Sequence, residues 1–184
     1  MNDDWRVTFS GKLFEILQNE KGWEKAARSP GTRIIIDDEK SGKILLTREF
    51  RAELAAYDFR LPGGKVFDSL AEFETFRSGG DDILQPATAK IIAETREEAG
   101  YEIYDPKLYD VSILGATISW DLYVFVATDF AKSSAGQNLE DGEDIETDLW
   151  FSYDEVKQMI MKKQFQEDRI AMIVLRYLSE KEEK

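Results

Sequence analysis

Three glutamates near the middle of the chain have the spacing that a carboxylate metal site requires. Glu94, Glu97 and Glu98 stand at positions i, i+3 and i+4, so a helix through this stretch brings all three carboxylates to one face. Like charges at this spacing repel each other, and a bound cation relieves that repulsion. Hard divalent ions such as Mg²⁺ prefer carboxylate oxygens and often share their ligand shell with phosphates. The spacing is therefore compatible with a metal site, although an acidic face that is merely solvated is the common alternative.

The composition narrows the chemistry that such a site can perform. The 184 residues include no cysteine and no histidine. Thiol nucleophiles, disulfides, zinc sites with Cys or His ligands and Ser-His-Asp catalysis are therefore excluded. Acid–base catalysis must then use Asp, Glu, Lys or Tyr, and any metal ion must be held by oxygen.

The charge balance limits the partners that the chain can bind. Lys and Arg total 24 against 37 Asp and Glu, which gives a formal net charge of −13. This charge disfavours nucleic acids and anionic membranes, whereas a small phosphorylated substrate needs only a few local cations. No apolar run approaches the roughly 20 residues that span a membrane, and the N-terminus lacks the features of a signal peptide. We therefore expect a cytoplasmic protein with a small-molecule substrate, which binds neither nucleic acid nor membrane.

A glycine-containing turn precedes the glutamates. Residues 61–65 read Leu-Pro-Gly-Gly-Lys, and two adjacent glycines permit a close approach of backbone to a ligand. An ordinary tight turn is the alternative interpretation. The glutamate stretch, residues 89–101, is predicted to form one helix that ends at Gly100 in a left-handed conformation. Asp81 or Asp82 is expected to cap the start of this helical region.

The remaining elements follow from apolar spacing and capping residues. Residues 18–30 are predicted to be turn-rich, residues 67–80 to be an insertion, and residues 131–144 to be a long acidic loop. The predicted elements are one or two strands in residues 5–17, a hairpin of strands 32–37 and 44–51, strands 108–114, 122–127 and 149–151, a helix that a capping box of Ser152 and Glu155 opens, and a final helix over 168–178.

Taken together, the turn and the glutamate helix resemble the Nudix box. The resemblance lies in Leu-Pro-Gly-Gly at 61–64 and in Glu-Thr-Arg-Glu-Glu-Ala-Gly-Tyr at 94–101, and residues 45–51 and 143–146 are similar to the ADP-ribose pyrophosphatase branch. It implies an α+β fold, an α/β/α sandwich with a mixed β-sheet between helices. Residues 31–184 would form this domain, preceded by an antiparallel β extension of residues 1–30. The extension resembles the segment that this branch uses in a swapped dimer, which implies a homodimer.

The resemblance also implies roles for individual residues. Mg²⁺ or Mn²⁺ is expected at Glu94, Glu97 and Glu98, with help from the Gly63 carbonyl, and the activity is expected to depend on Glu97 and Glu98. The expected general base is Glu143, followed by Glu140 and Asp141. The residues expected to bind substrate are Arg51, with Arg48 and Arg60 as weaker candidates, and Trp120 or Phe50 as a stacking platform for a nucleobase, for which a purely structural aromatic is an equal alternative.

The implied activity is hydrolysis of the pyrophosphate bond of a nucleoside diphosphate linked to another group. ADP-ribose or a nucleotide sugar would give a nucleoside monophosphate and a sugar phosphate. The sequence departs from the family pattern at Ala93, where the family has an arginine that orients the carboxylates, at Gln85, where it has a glutamate, and in the insertion of residues 67–80. These departures motivate a second hypothesis, a non-catalytic nucleotide-binding or regulatory protein of the same fold. Within the enzyme class, a house-cleaning nucleoside triphosphatase is a further alternative.

Overall fold

The computed structural model describes residues 5–52, 54–140 and 142–182, and these residues form a mixture of strands and helices. None of the helices in these ranges is long and apolar enough to cross a membrane. The elements are β1 (Arg6–Ser10), β2 (Glu15–Gln18), β3 (Glu24–Ala27), β4 (Gly31–Asp38), β5 (Lys43–Arg51), β6 (Ala56–Arg60), α1 (Leu70–Gly79), α2 (Leu84–Glu94), a π-helical turn (Thr95–Ala99, the π-turn), β7 (Tyr101–Tyr104), β8 (Lys107–Ser112), β9 (Ile118–Ser119), β10 (Leu122–Ala127), β11 (Asp129–Lys132), β12 (Ile145–Ser152), α3 (Tyr153–Met161) and α4 (Asp168–Glu182).

A mixed central sheet with the strand order β12-β5-β4-β10-β8 carries the core, and β6 pairs with β5. The β4–β10 pair is parallel, whereas β5 is antiparallel to β4, β6 and β12. Strand β4 is buried on both faces except at its last residue. Its side chains alternate accordingly, with Ile35 packing in the cluster that holds α3 and α4, and Ile34 and Ile36 in the cluster that holds Ile91 of α2. This is the predicted arrangement of helices on both sides of a sheet.

A second sheet, in the order β1-β2-β3-β9, is built mainly from the N-terminal extension. Its first three strands are antiparallel, as predicted. Strand β3 then pairs in parallel with β9 through Ala26–Ile118 and Ala27–Ser119. The extension is therefore attached by backbone hydrogen bonds to the segment that leads into β10. The prediction of a turn-rich segment over residues 18–30 was wrong at β3.

Other predictions of local structure also need correction. Residues 67–80, predicted to be an insertion, contain a helix that was not predicted, α1, and Ser69 caps it by accepting a hydrogen bond from the Glu72 N–H. The single helix over 89–101 is instead the C-terminal part of α2 followed by the π-turn, and Gly100 ends the turn with φ +71°. Strand β12 is longer than the predicted residues 149–151, because it pairs with β5 from Ile145 onward. The capping box at the start of α3 is confirmed.

Candidate active site

The glycine turn lies directly against the glutamate helix and the central sheet. Gly63 has φ +139°, and a Cβ added there would lie 2.3 Å from the Thr32 carbonyl oxygen. A Cβ added to Gly64 would lie 2.3 Å from Oε1 of Glu94. The Thr32 N–H donates to the Gly64 carbonyl at 2.8 Å, which holds the turn beside β4. A side chain at position 63 would therefore collide with backbone, whereas one at position 64 would collide with the carboxylate of Glu94.

The π-turn carries the other two glutamates of the site, Glu97 and Glu98. The Gly100 N–H donates to the Thr95 carbonyl, five residues back, as well as to that of Arg96, so the helix widens in its last turn. Glu98 then accepts a hydrogen bond from the Gly63 N–H at 2.8 Å. Glu94, at the end of α2, forms an ion pair of 3.0 Å with Lys90, one turn earlier. Glu98 is thus held by the Gly63 N–H and Glu94 by Lys90, two contacts that were not predicted from the sequence.

A buried arginine lies next to the glycine turn. Arg33 is 8% exposed, and its Nη1 donates to the Gly63 carbonyl at 2.5 Å and to the Thr32 carbonyl at 2.8 Å. Burial lowers the pKa of Arg33 to about 10. Burial also raises the pKa of Glu98 to about 7, although the Gly63 N–H and the charge of Arg33 oppose this rise. Arg33 therefore supplies a cation beside Glu98, in a site whose helix has Ala93 at the expected arginine position.

The glutamates and several arginines line a single cavity of about 650 Å³. This volume is within the range of small-molecule sites. Acidic residues reach the wall from β5, α2, the π-turn and two loops, and basic residues reach it from β4, β5, β6, α2, the glycine turn and the segment after β3. The charged residues of the wall are Arg28, Arg33, Glu49, Arg51, Arg60, Lys65, Asp68, Lys90, Glu94, Glu97, Glu98, Glu140 and Glu143.

The arginines predicted to bind substrate differ in their placement. Arg51 and Arg60 both line the cavity, and each forms an ion pair of 2.7 Å with a carboxylate oxygen of Glu49. Arg48 does not belong to the cavity wall. It pairs with Glu146 at 3.0 Å, and its guanidinium lies 4.1 Å from the ring centroid of Tyr57. The structure therefore brings Arg51 and Arg60 to the site, but not Arg48.

The two aromatic residues predicted to stack on a nucleobase also differ. Phe50 lies outside the cavity wall and packs edge-on against Tyr57. Trp120 lines the cavity, but its ring carries the guanidiniums of Arg28 at 4.1 Å and Arg169 at 3.9 Å from the centroid. A nucleobase at Trp120 would therefore meet a cation–π stack rather than an open aromatic face.

The loop before β12 brings its acidic residues to the cavity. Glu143 and Glu140 both line the wall. The Glu143 carboxylate accepts a hydrogen bond from the Glu140 N–H at 2.9 Å, while the Glu143 N–H donates to the Glu140 carbonyl. Asp141, the third acid considered for the role of base, lies outside the described residues. The placement of Glu143 is thus compatible with a base that faces a bound substrate.

The donor chemistry of the glutamates suits a hard divalent ion, but their side chains are not gathered around one point. In the part of the chain that the structure describes, no three acidic side chains are grouped closely enough to hold a metal ion. Glu94 is engaged by Lys90 and Glu98 by the Gly63 N–H. An all-carboxylate set of ligands next to a glycine turn fits Mg²⁺ or Mn²⁺, on condition that Glu94 exchanges Lys90 for the ion. The Gly63 carbonyl already accepts from Arg33, which competes with its expected role as a ligand.

Four basic residues of the cavity wall, Arg28, Arg33, Lys65 and Lys90, were not assigned to the site from the sequence. Lys90 is four residues before Glu94, a spacing that predicts an ion pair on a helix. Arg33 interrupts a buried apolar run, Thr32 to Ile36, and a charge in such a run indicates a buried functional or structural role. Arg28 carries no such signal, because only the pairing of β3 with β9 brings it to the cavity.

Comparison with known proteins supports the fold. No protein-family model matches the sequence, and no curated protein matches it. Among solved structures, the chain is similar to one described as the crystal structure of an ADP compounds hydrolase, with a TM-score of 0.62 and 16% sequence identity over 97% of this chain and 93% of that chain. At this identity the likeness concerns the fold alone. The predicted α+β fold, a mixed sheet with flanking helices that is similar to the Nudix hydrolase fold, is confirmed.

Proposed function

We propose that the protein is a metal-dependent hydrolase that cleaves the pyrophosphate bond of a nucleoside diphosphate linked to another group. One observation carries the proposal: Glu94, Glu97 and Glu98 share a cavity with Arg51 and Arg60. Carboxylates that can hold divalent cations, together with arginines that can bind phosphate oxygens, are the two requirements of a diphosphate site. The solved structure with the similar fold is described as an ADP compounds hydrolase, which supports ADP-ribose or a nucleotide sugar as the first substrates to test.

The metal would be held by Glu94, Glu97 and Glu98. Mg²⁺ or Mn²⁺, when bound, would neutralise the negative charge of the diphosphate and lower the pKa of water. The protein itself supplies the positions of these carboxylates. Gly63 fixes Glu98 through its backbone N–H, at 2.8 Å, and Gly64 leaves the space that Glu94 fills. Lys90 keeps the charge of Glu94 balanced until a cation replaces it.

The remaining groups of the cavity bind the substrate and move a proton. Arg51 and Arg60 present planar guanidiniums, which suit the oxygens of a phosphate, and Glu49 orients both of them. Glu143 would accept the proton of the attacking water as general base. The oxygen of that water bonds to one phosphorus atom, and the bridging P–O bond breaks. The products are two phosphate monoesters, a nucleoside monophosphate and a sugar phosphate.

A substrate panel tests the proposal directly. ADP-ribose, nucleotide sugars and nucleoside triphosphates are incubated with the wild type, Glu97→Gln and Glu98→Gln, in Mg²⁺, in Mn²⁺ and after chelation. The expected result is turnover of a diphosphate derivative that requires the metal and falls by about 100-fold or more in each variant. Glu20→Gln is the control, because this exposed glutamate lies outside the cavity wall. Undiminished turnover in both site variants would refute the mechanism.

A second function, metal-independent binding of a nucleotide without catalysis, is favoured by one observation. Lys90 already balances the charge of Glu94, and the three glutamates are not gathered around one point, so the cavity can hold an anionic ligand without a metal ion. Calorimetry with the same panel separates the two functions. Tight binding in the presence of a chelator, combined with no product from any compound, would establish the binding role and contradict the hydrolase.

A further inference from the structure

The N-terminal sheet contributes one arginine to the cavity. Arg28 directly follows β3, and its backbone N–H donates to the Ser119 carbonyl of β9 at 3.1 Å. The next residue along the chain after Ser119 is Trp120, which also lines the cavity. The pairing of β3 with β9 therefore sets Arg28 beside Trp120. The placement depends on backbone hydrogen bonds and not on the flexible arginine side chain alone.

The Arg28 guanidinium is held by aromatic rings and not by a carboxylate. Its Cζ lies 4.1 Å from the ring centroid of Trp120 and 5.3 Å from that of Phe14. Over the described ranges, no acidic side chain forms a salt bridge or hydrogen bond with it. Glu167, the acid with the largest effect on Arg28, already binds Nε of Arg169 at 2.5 Å. Arg28 is thus a half-buried cation on an aromatic platform, without a counter-ion at contact distance.

Arg28 shares its indole platform with a second arginine, Arg169. Within residues 5–52, 54–140 and 142–182, neither Trp120 Nε1 nor Arg169 Nη2 has a hydrogen-bond partner, and both atoms are shielded from solvent. The Arg169 guanidinium lies on the same indole ring, at 3.9 Å. Burial lowers the pKa of Arg28, and the charges of Arg169 and Arg51 lower it further. Two arginines therefore lie on one indole ring, and Arg28 is the one that lines the cavity. We call this part of the wall the Arg28–Trp120 subsite, and an anion bound there would stabilise its positive charge.

We infer that the Arg28–Trp120 subsite binds a second anionic group of the substrate, a phosphate or carboxylate separate from the diphosphate that is cleaved. The inference rests on the proposed function, which assigns the diphosphate to Glu94, Glu97 and Glu98 with Arg51 and Arg60. Arg28 reaches the cavity from the segment that directly follows β3, whereas Arg51 and Arg60 belong to β5 and β6 of the central sheet. The substrate class is then a nucleoside diphosphate derivative that carries one additional anion.

Matched pairs of substrates test this subsite. ADP-ribose is compared with ADP-ribose 2′-phosphate for the phosphate arm, and UDP-glucose with UDP-glucuronic acid for the carboxylate arm. In the wild type we expect kcat/KM to be about 10- to 100-fold higher for the member of one pair that carries the additional phosphate or carboxylate. This factor corresponds to the free energy of a charge-assisted hydrogen bond. In Arg28→Gln this ratio should fall to about one, mainly through KM. Arg28→Lys should retain part of it.

Controls separate a failure of the subsite from a failure of the proposed function. Arg6→Gln, which removes an exposed arginine from the same sheet, should keep the wild-type ratio, and thermal melting verifies that each variant is folded. Turnover without preference for the compound with the additional anion in either pair, or a preference that Arg28→Gln retains, would overturn the subsite alone. Absence of turnover for all four compounds would overturn the proposed function. The dissociation constants of the same pairs, measured by calorimetry for wild type and Arg28→Gln, would then decide the subsite.

Discussion

Gly63 and Gly64 are adjacent, but the atoms that exclude a side chain differ at the two positions. At Gly63 the obstacle is backbone, because the space for a Cβ is filled by the Thr32 carbonyl. The φ of +139° also belongs to a region that only glycine readily adopts. At Gly64 the obstacle is the carboxylate of Glu94, at the mobile end of a side chain. The glycine at position 63 is therefore needed for the backbone to pack, whereas the glycine at position 64 leaves room for the Glu94 carboxylate in the site.

Alanine at the two positions should separate stability from activity. Gly63→Ala should lower the free energy of unfolding by about 3 kcal/mol or more, because backbone must move. Gly64→Ala should change stability by less than about 1 kcal/mol, since Glu94 can swing away, yet reduce kcat/KM at least tenfold by displacing a metal ligand. Urea denaturation and kinetics on both variants measure these effects. Equal losses of stability in the two would contradict the distinction.

Glu98 predicts how stability depends on pH in the metal-free protein. Burial raises the pKa of Glu98 from 4.5 to about 7, so in this window the folded state holds a proton that the unfolded state has released. The contribution of Glu98 to stability must then fall as pH rises from about 4.5 to 7, by as much as about 3 kcal/mol. Glu98→Gln, which can still accept from the Gly63 N–H, should remove this part of the slope.

Urea denaturation between pH 4.5 and pH 8 in the presence of a chelator measures this effect. The quantity to compare is the difference in unfolding free energy between wild type and Glu98→Gln, because other carboxylates contribute equally to both. The unfolding free energy of Glu98→Gln relative to that of the wild type should rise as pH rises. A difference that does not change with pH would show that Glu98 titrates normally in the folded protein.

At the scale of elements, a helix or strand can be predicted when its own residues favour that structure. It is missed when pairing with neighbouring strands determines the structure. Strand β4 and helix α4 were predicted from apolar spacing, and α3 from its capping box. Strand β3 has the sequence Glu-Lys-Ala-Ala, which has little strand propensity, and it is a strand because β2 and β9 pair with it. Helix α1 was missed although Ser69 and Glu72 have capping-box spacing. The π-turn has an ordinary helical composition, so its widened hydrogen bonds could not be predicted.

The N-terminal sheet bears on the predicted homodimer, which remains a prediction. Val7 and Phe9 of β1 are 52% and 61% exposed, and apolar side chains on an exposed strand are suited to burial against a second chain. If β1 forms the dimer contact, Phe9→Lys should weaken the dimer at least tenfold. Light scattering coupled to size exclusion, over a range of concentrations, measures the change. Met172→Lys, at an exposed position of α4, is the control, and a monomeric wild type would refute the dimer.

At the scale of the whole molecule, the cavity combines segments that are far apart in sequence. The spacing of Glu94, Glu97 and Glu98 and the glycine turn were visible in the sequence, and the structure places both at the cavity wall. Arg28 and Arg33 were not identified, because their position depends on how β3 meets β9 and how β4 meets the turn. Local spacing can predict which residues share a helix face, but not which residues of distant strands will face them.

The net charge of −13 makes any cation stabilise this protein to some extent, and a specific metal site must be distinguished from that general effect. Screening of surface repulsion depends on ionic strength, whereas binding at Glu94, Glu97 and Glu98 depends on the concentration of the ion relative to its Kd. MgCl₂ should therefore raise the unfolding free energy more than NaCl of equal ionic strength, by about 2.7 kcal/mol at 100 times the Kd. Glu97→Gln should abolish this excess and leave the NaCl effect unchanged, while Glu20→Gln should retain both. Equal effects of the two salts on the wild type would mean that the glutamates hold no ion in the absence of substrate.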